Sequence, residues 1–383
     1  MTKQSGLSWF LNNEKSGGLM LICCTVVSLL LANSAVGEEY AHFWHIDLGG
    51  LSLTHWINDG LMMIFFLLIG LELKREMIIG KLSNVKDAML PIFAAIGGMA
   101  IPAGIYFAFN AGTVTQSGIG IPMATDIAFA LGVLSLLGSR VPLSLKIFLT
   151  ALAVIDDLGA ILVIAVFYTS DLVVSNLFIA LGVFALLLVL NKLKVRNLIP
   201  YLIGGAVMWV FMLNSGVHAT ITGVLLAFTI PFGPEKSKNP SLAMEHWLHK
   251  PVTFLILPIF ATANTAIIIN SGLGEMISQN YSLGIAAGLI LGKPIGVFLV
   301  SLLAVSLGLC TLPKELNWKT IIGVGFLAGI GFTMSIFITL LAFNDATVID
   351  NSKLMILLAS LAAGIIGFIV LNINLRKLQK KAE

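Results

Sequence analysis

Gly118-Ile-Gly-Ile-Pro122-Met-Ala-Thr125-Asp126-Ile-Ala-Phe-Ala-Leu-Gly132 carries three glycines, a proline and a carboxylate inside one apolar run. Glycine and proline weaken or break a helix, and an aspartate in hydrocarbon is expensive. A run like this crosses a membrane only where neighbouring protein satisfies the freed backbone groups. The fold therefore depends on whether the surrounding chain is membrane-embedded. Hydrophobic residues make up 58% of the 383 and charged residues 11%, with a mean hydropathy of +0.99. That is too little charge to cover a soluble surface, so the chain reads as an all-α membrane protein.

Apolar runs of spanning length recur on both sides of this stretch. Twelve candidate spans lie near 17–35, 57–80, 88–109, 118–138, 143–169, 173–191, 198–213, 217–232, 250–270, 282–305, 319–343 and 353–373. Lys3 and Lys15 precede the first run with no small-residue cleavage pattern after it, which predicts a retained span rather than a removed leader. With the N-terminus placed in the cytoplasm, alternating sides put all but two of the 22 Lys and Arg on that side. The exceptions are Lys353, outside, and Lys293, within a span. One misplaced span would invert every later loop, so this asymmetry supports twelve crossings with both ends inside. The scattered basic residues form no nucleic-acid-binding face. No cofactor motif is present, and Cys23, Cys24 and Cys310 have neither disulfide nor metal spacing.

The external segment Val36–Trp56 carries Glu38, Glu39, His42, His45, Asp47 and His55. Its histidines fit no ligand spacing, which predicts a solvated loop. The alternation around Gly49-Gly50, from His45 to Leu53, predicts a small hairpin.

Four ionisable residues fall inside spans: Asp126, Asp156, Asp157 and Lys293. At ~1.5 Å per residue, each lies ~12–16 Å from a span end, near the middle of a ~30 Å core. The eleventh span is also rich in breakers, with Gly323, Gly325, Gly329 and Gly331 ahead of Thr333 and Ser335. It lies seven spans after the fourth, so segments 88–169 and 282–373 run in opposite directions. Interrupted helices at matching places of inverted repeats point to a midplane ion site; close helix packing through small residues is the plainer alternative. For Asp126 and Lys293, neutralising exposed half-helix ends and direct transport chemistry both remain open. Asp156 and Asp157 are more specific. Adjacent helical residues diverge by ~100°, so one carboxylate can face a cavity while the other faces a protein partner. Lys293 is the cation at that depth. A desolvated carboxylate takes a proton or a hard cation, and competition between the two is the simplest form of antiport.

These motifs carry a resemblance. Ala124-Thr-Asp-Ile-Ala-Phe-Ala-Leu-Gly132, Ile155-Asp-Asp-Leu-Gly159, Leu291-Gly-Lys-Pro294, Phe65-Phe-Leu-Leu-Ile-Gly-Leu-Glu-Leu-Lys-Arg-Glu76 and Gly329-Ile-Gly-Phe-Thr-Met-Ser335 are similar to the NhaA-type sodium/proton antiporters. That family is itself one of the known cases of the inverted-repeat pattern. The resemblance implies a pH-regulated, electrogenic exchanger of Na+ or Li+ for H+ in a bacterial inner membrane, usually dimeric through the 45–56 hairpin. It implies that Asp157 with Asp156 binds the cation and that Asp156 exchanges Lys293 for a proton. Thr125 and Asp126 would sit where two interrupted helices cross.

Glu72, Arg75 and Glu76 share a helix face at the cytoplasmic end of the second span. Glu245, His246 and His249 precede the ninth on the same side, and Pro251 suggests a helix start that leaves them in a loop. An interfacial charge cluster is the plain reading; the resemblance implies a pH sensor, extending more weakly to His218. Leu242 and Ala243 stand where the family pattern has basic residues. Asp59, at the outer end of the second span, also matches a family position, and its role is left open.

Other classes fit less well. An intramembrane aspartyl protease expects Gly-x-Gly-Asp, which neither Asp126 nor Asp157 has. A symporter of organic solutes needs a larger polar pocket, and a channel needs a filter-like repeat.

Overall fold

The computed structural model describes residues 14–169, 172–233, 239–269 and 272–382. Lys3, Lys236 and Lys238 lie outside them, as do the side chains of Lys15, Lys81, Lys380 and Lys381. The described chain is almost wholly helical. In order it forms α1 (Glu14–Ala32), α2 (Gly37–Trp44), a hairpin of β1 (Asp47–Leu48) and β2 (Leu51–Ser52), and α3 (Leu53–Ile78, with a π turn at Trp56–Leu61). Then come α4 (Val85–Asn110), a 3-10 segment (Gln116–Met123), α5 (Ile127–Ser135), α6 (Leu143–Phe167), α7 (Val174–Lys192) and α8 (Ile199–Leu213). The second half holds α9 (Ile221–Thr229), α10 (Pro240–Pro251), α11 (Leu257–Asn264) and α13 (Asn280–Ser306), preceded by a short α12 (Leu273–Ser278). It ends with α14 (Trp318–Ala328), α15 (Phe332–Ala342) and α16 (Ala346–Ala382).

Seven of the described helices are long and apolar enough to cross a bilayer, or eight if α14 and α15, bent by 49°, count as one. Twelve apolar runs thus do not become twelve helices of spanning length. Several runs are split by 3-10 or π turns, and α8 and α9 have only 15 and 9 residues. Composition continues through a break that hydrogen bonding does not.

Two expectations about the outer segment separate. The hairpin is present, pairing Asp47 with Ser52 and Leu48 with Leu51. The stretch before it is a helix rather than a loop. Glu38 and Glu39 sit in the first turn of α2 and His42 in the last, the arrangement that complements the helix dipole.

Packing centres on pairs distant in sequence. α13 lies along α4, α9 along α3, and α14 along α16. The α4–α13 crossing is set by Gly97 and Gly296: a methyl on either would run into the other's carbonyl oxygen. Next to it, the stem of Lys293 passes over Gly98, 3.7 Å from where a side chain would begin.

Lys74 corrects the reading of it as one of the cytoplasmic loop charges. It is 7% exposed, and its ammonium donates to the carbonyls of Ala227, Phe228 and Ile230 at 3.2, 3.0 and 2.5 Å. These are the open carbonyls at the end of α9, where a cation is favoured. Lys74→Met should strip that cap and cost about 2–3 kcal/mol, read as a lower melting temperature of the detergent-solubilised protein. An unchanged melting temperature would remove Lys74 from this role.

Candidate functional site

The breaker-rich stretches meet. Backbone runs as a 3-10 helix through Met123, becomes extended from Ala124 to Asp126, and resumes as α5. On the opposite element, α14 stops at Ala328 and α15 begins at Phe332. The Asp126 amide donates to the Ile330 carbonyl at 2.7 Å, joining the two interruptions through backbone. Pro122 has no N–H to continue a ladder, and Gly118 leaves room for the Tyr106 hydroxyl and the Phe343 ring.

Each broken helix leaves unpaired amides at its start and carbonyls at its end. Asp126 answers both starts at once. Its Oδ1 accepts the Phe129 amide of α5 at 2.9 Å, and its Oδ2 accepts the Thr333 amide and hydroxyl of α15 at 3.2 and 2.5 Å. Ser360 on α16 completes the α15 end, its hydroxyl oxygen accepting the amides of Gly331 and Phe332 at 3.2 and 3.1 Å. The carbonyl ends are met by hydroxyls: Ser335 donates to Ile121 at 2.7 Å, and Thr125 lies 2.8 Å from the Ala328 carbonyl.

Thr125 links this junction to the buried charges. Lys293 Nζ donates to Asp156 Oδ2 at 2.6 Å and to Thr125 Oγ1 at 2.9 Å. Thr125 Oγ1 is also 2.7 Å from Asp156 Oδ2. A hydroxyl has one proton, so Thr125 serves Asp156 or the Ala328 carbonyl, one at a time. Lys293 and Thr125 are wholly buried, and Asp126, Asp156 and Asp157 are at most 2% exposed. Asp157 is the next residue on α6, its side chain set about 100° around the helix from that of Asp156. Among the described residues, its Oδ1 and Asp156 Oδ1 are buried oxygens with no hydrogen-bond donor. Carboxylate oxygens of that kind are hard ligands for a small cation or acceptors for a proton. No group of three or more His, Cys, Asp or Glu suited to a resident metal ion occurs among the described residues.

The second constellation is placed differently from the sequence expectation. Glu245, His246 and His249 are on helix α10, not in a loop. Asn239 caps that helix by accepting the Leu242 amide at 3.2 Å, and Pro240 opens it. Pro251 opens no helix: it is the last residue of α10, and the chain runs on through the π turn Val252–Ile256 into α11. Arg75 bonds Glu245, and Glu76 at 2.9 Å. Glu245 and half-buried Glu72 lie on the inner side, whereas His246 and His249 are exposed. Burial pushes the Glu245 carboxyl above its ordinary value, with Arg75 opposing.

Sequence reasoning missed Ser360, which nothing distinguishes from a small packing residue, and left Asp59 without a role. Asp59 lies 2.8 Å from His55 Nε2 and 3.6 Å from His218 Nε2. The i, i+4 spacing of His55 and Asp59 was a readable signal.

Broken helices bonded to each other around buried carboxylates and one lysine define a helical membrane protein of the transporter class. The profile of the Na+/H+ antiporter 1 family matches residues 8–371. A Na+/H+ antiporter NhaA of Flavobacterium psychrophilum is 68% identical over 367 residues, 96% of each chain. Na+/H+ antiporter NhaA 1 of Flavobacterium johnsoniae is 62% identical, over 94% of this chain and 95% of its own. A Na+/H+ antiporter NhaA of Cytophaga hutchinsonii is 59% identical, over 96% of this chain and 95% of its own. The chain belongs to the Na+/H+ antiporter 1 family, whose members are secondary transporters and not enzymes.

Proposed function

We propose that this protein exports Na+, and Li+, from a bacterial cytoplasm in exchange for H+, by alternating access at Asp156 and Asp157. The observation that carries the reading is the adjacent carboxylate pair on α6, one member held by Lys293 and Thr125 and the other with a buried oxygen that has no hydrogen-bond partner among the described residues. In the proton-loaded state Asp157 carries a proton and Asp156 is neutralised by Lys293. An entering Na+ displaces the proton from Asp157 and takes the place of Lys293 at Asp156, and the displaced Lys293 ammonium releases its own proton. On the other side protons return, and Lys293 re-pairs. More than one proton then moves per monovalent cation, so the exchange is electrogenic.

Asp126 and Thr125 hold the crossing of the interrupted helices at the midplane, within inverted repeats spanning about 88–169 and 282–373. The topology has twelve crossings with both termini cytoplasmic, supported by the distribution of basic residues; short helices and their connecting turns make up the crossings not spanned by one long helix. The outer hairpin supplies the contact of a homodimer in the lipid bilayer.

The test uses everted vesicles energised by respiration, with internal pH followed as NaCl, LiCl or KCl is added. Proton release on Na+ and Li+ but not K+ supports the reading, as does acceleration by an imposed membrane potential of the correct sign. Indifference to Na+ would sink it.

The Arg75–Glu245 contact is proposed as the pH-responsive element, with Glu72, Glu76, His246 and His249 around it. A carboxyl raised by burial favours the protonated folded state. The fold gains from that proton below the unfolded value and loses the gain as pH rises through the raised one. The ionised form that pairs with Arg75 therefore prevails from a higher pH than it would for an ordinary carboxyl. Glu245→Gln imitates the protonated form and should displace the activation midpoint by about half a unit to one unit toward alkaline pH. A superimposable pH–activity curve would exclude this assignment.

A further inference from the structure

A cavity of about 350 Å³ lies where the start of α14 meets the end of α16, lined by Asn317, Trp318, Lys319, Asn374, Lys377 and Leu378. Two cations from different helices face it, and none of the six residues is acidic. Lys319 and Lys377 are exposed. Trp318 is fixed edge-on against Phe298, their ring centroids 5.9 Å apart. The Asn317 side-chain oxygen is taken by the Thr320 amide at 2.9 Å, and an Asn374 amide proton goes to the Val370 carbonyl at 2.8 Å. The nearby Glu315 carboxylate accepts the Ser144 hydroxyl at 2.7 Å, and Arg140 donates to Asn372 at 2.7 Å.

What lies beside the cavity identifies the occupant. Along α16, Leu361, Ile365, Ile369 and Ile373 are about half exposed and four residues apart, so they form one inclined apolar ridge. Lys377 is the next position on that ridge. The helix surface therefore changes from hydrocarbon-like to cationic at this cavity, with a tryptophan at the boundary, as at a membrane interface. A free phosphate has no use for the ridge, whereas a phospholipid needs both parts. Basic pockets between helices on the cytoplasmic side take anionic headgroups.

We propose that this cavity binds the phosphodiester headgroup of an anionic phospholipid of the cytoplasmic leaflet, through Lys319 and Lys377, with an acyl chain along the α16 ridge. The leaflet rests on the topology given above, whereas the binding chemistry does not depend on Asp156 and Asp157.

The experiment compares lipid retained by the full chain after delipidation in detergent, using native mass spectrometry with phosphatidylglycerol and phosphatidylcholine as probes. The wild type should retain phosphatidylglycerol about 25-fold over phosphatidylcholine, about fivefold for each lysine. Lys319→Gln with Lys377→Gln should reduce that preference to near parity, while Lys86→Gln with Lys192→Gln should keep it. A wild-type preference for phosphatidylglycerol retained by the first pair would overturn the site. Displacement of phosphatidylglycerol by equimolar inorganic phosphate would overturn the lipid assignment, and labelling of Lys377→Cys from outside intact cells would overturn the leaflet. Na+-driven proton flux of the double variant in phosphatidylcholine vesicles should equal that of the wild type. Failure of the wild type to exchange at all would sink the transport reading and leave the retention result standing.

Discussion

Asp157→Asn should abolish Na+-dependent proton release, lowering exchange at least ~100-fold at every pH. The substitution keeps size and shape, so the loss tests charge alone. An amide neither gives up a proton in this range nor offers two hard oxygens, and its NH2 points positive charge at an arriving cation. The same change should leave folding intact or improve it. Asp157 is 2% exposed and its Oδ1 has no donor among the described residues, so the wild type carries a polar cost that the variant sheds. Transport and melting temperature should therefore move in opposite directions. Measured together in proteoliposomes and in detergent, they separate a transport residue from a structural one. Intact exchange in this variant would remove Asp157 from the ion path.

Lys293→Ala should act on stability first. It removes the 2.6 Å ion pair with Asp156 and the 2.9 Å bond to Thr125 from a wholly buried site. Breaking a buried pair from one side costs about 3–5 kcal/mol, most of it the penalty on the partner left behind. Asp156 escapes that penalty only by taking up a proton, so the loss should deepen as the medium is made alkaline. Asp156→Asn combined with Lys293→Ala should recover stability to within about 1 kcal/mol of wild type, since neither charge then stands alone. Exchange by Lys293→Ala should be weaker and shifted in pH. A variant as stable and active as wild type across the pH range would show that the pair does neither job.

Much of this arrangement could be read before any coordinates, for one physical reason. Thr125, Asp126, Asp156 and Lys293 are polar residues in runs where polarity is expensive, and the structure brings Thr125, Asp156 and Lys293 within hydrogen-bonding distance of one another. The glycines and Pro122 likewise marked where helices stop. The parts that were not legible depend on partners rather than on composition. Ser360 looks like any small packing residue until two amides from another helix reach it. Lys74 looked like a loop charge because it stands beside Arg75; its burial follows from the open end of α9, 153 residues away. Hydropathy continued across turns, so twelve apolar runs overcounted the long helices. Pro251 suggested a helix start because a single chain does not reveal when a π turn will accommodate proline.

The contact between Gly97 and Gly296 has a mechanical implication. Two rods touching backbone to backbone at one glycine pair have no side-chain cushion to yield there, so they do not slide past each other without separating. Lys293, one turn along from that weld, then travels with α4 and α13 as a single stiff piece. The proposed rearrangement, which would open the carboxylates first to one face of the bilayer and then to the other, would therefore take place across seams formed by larger, deformable side chains.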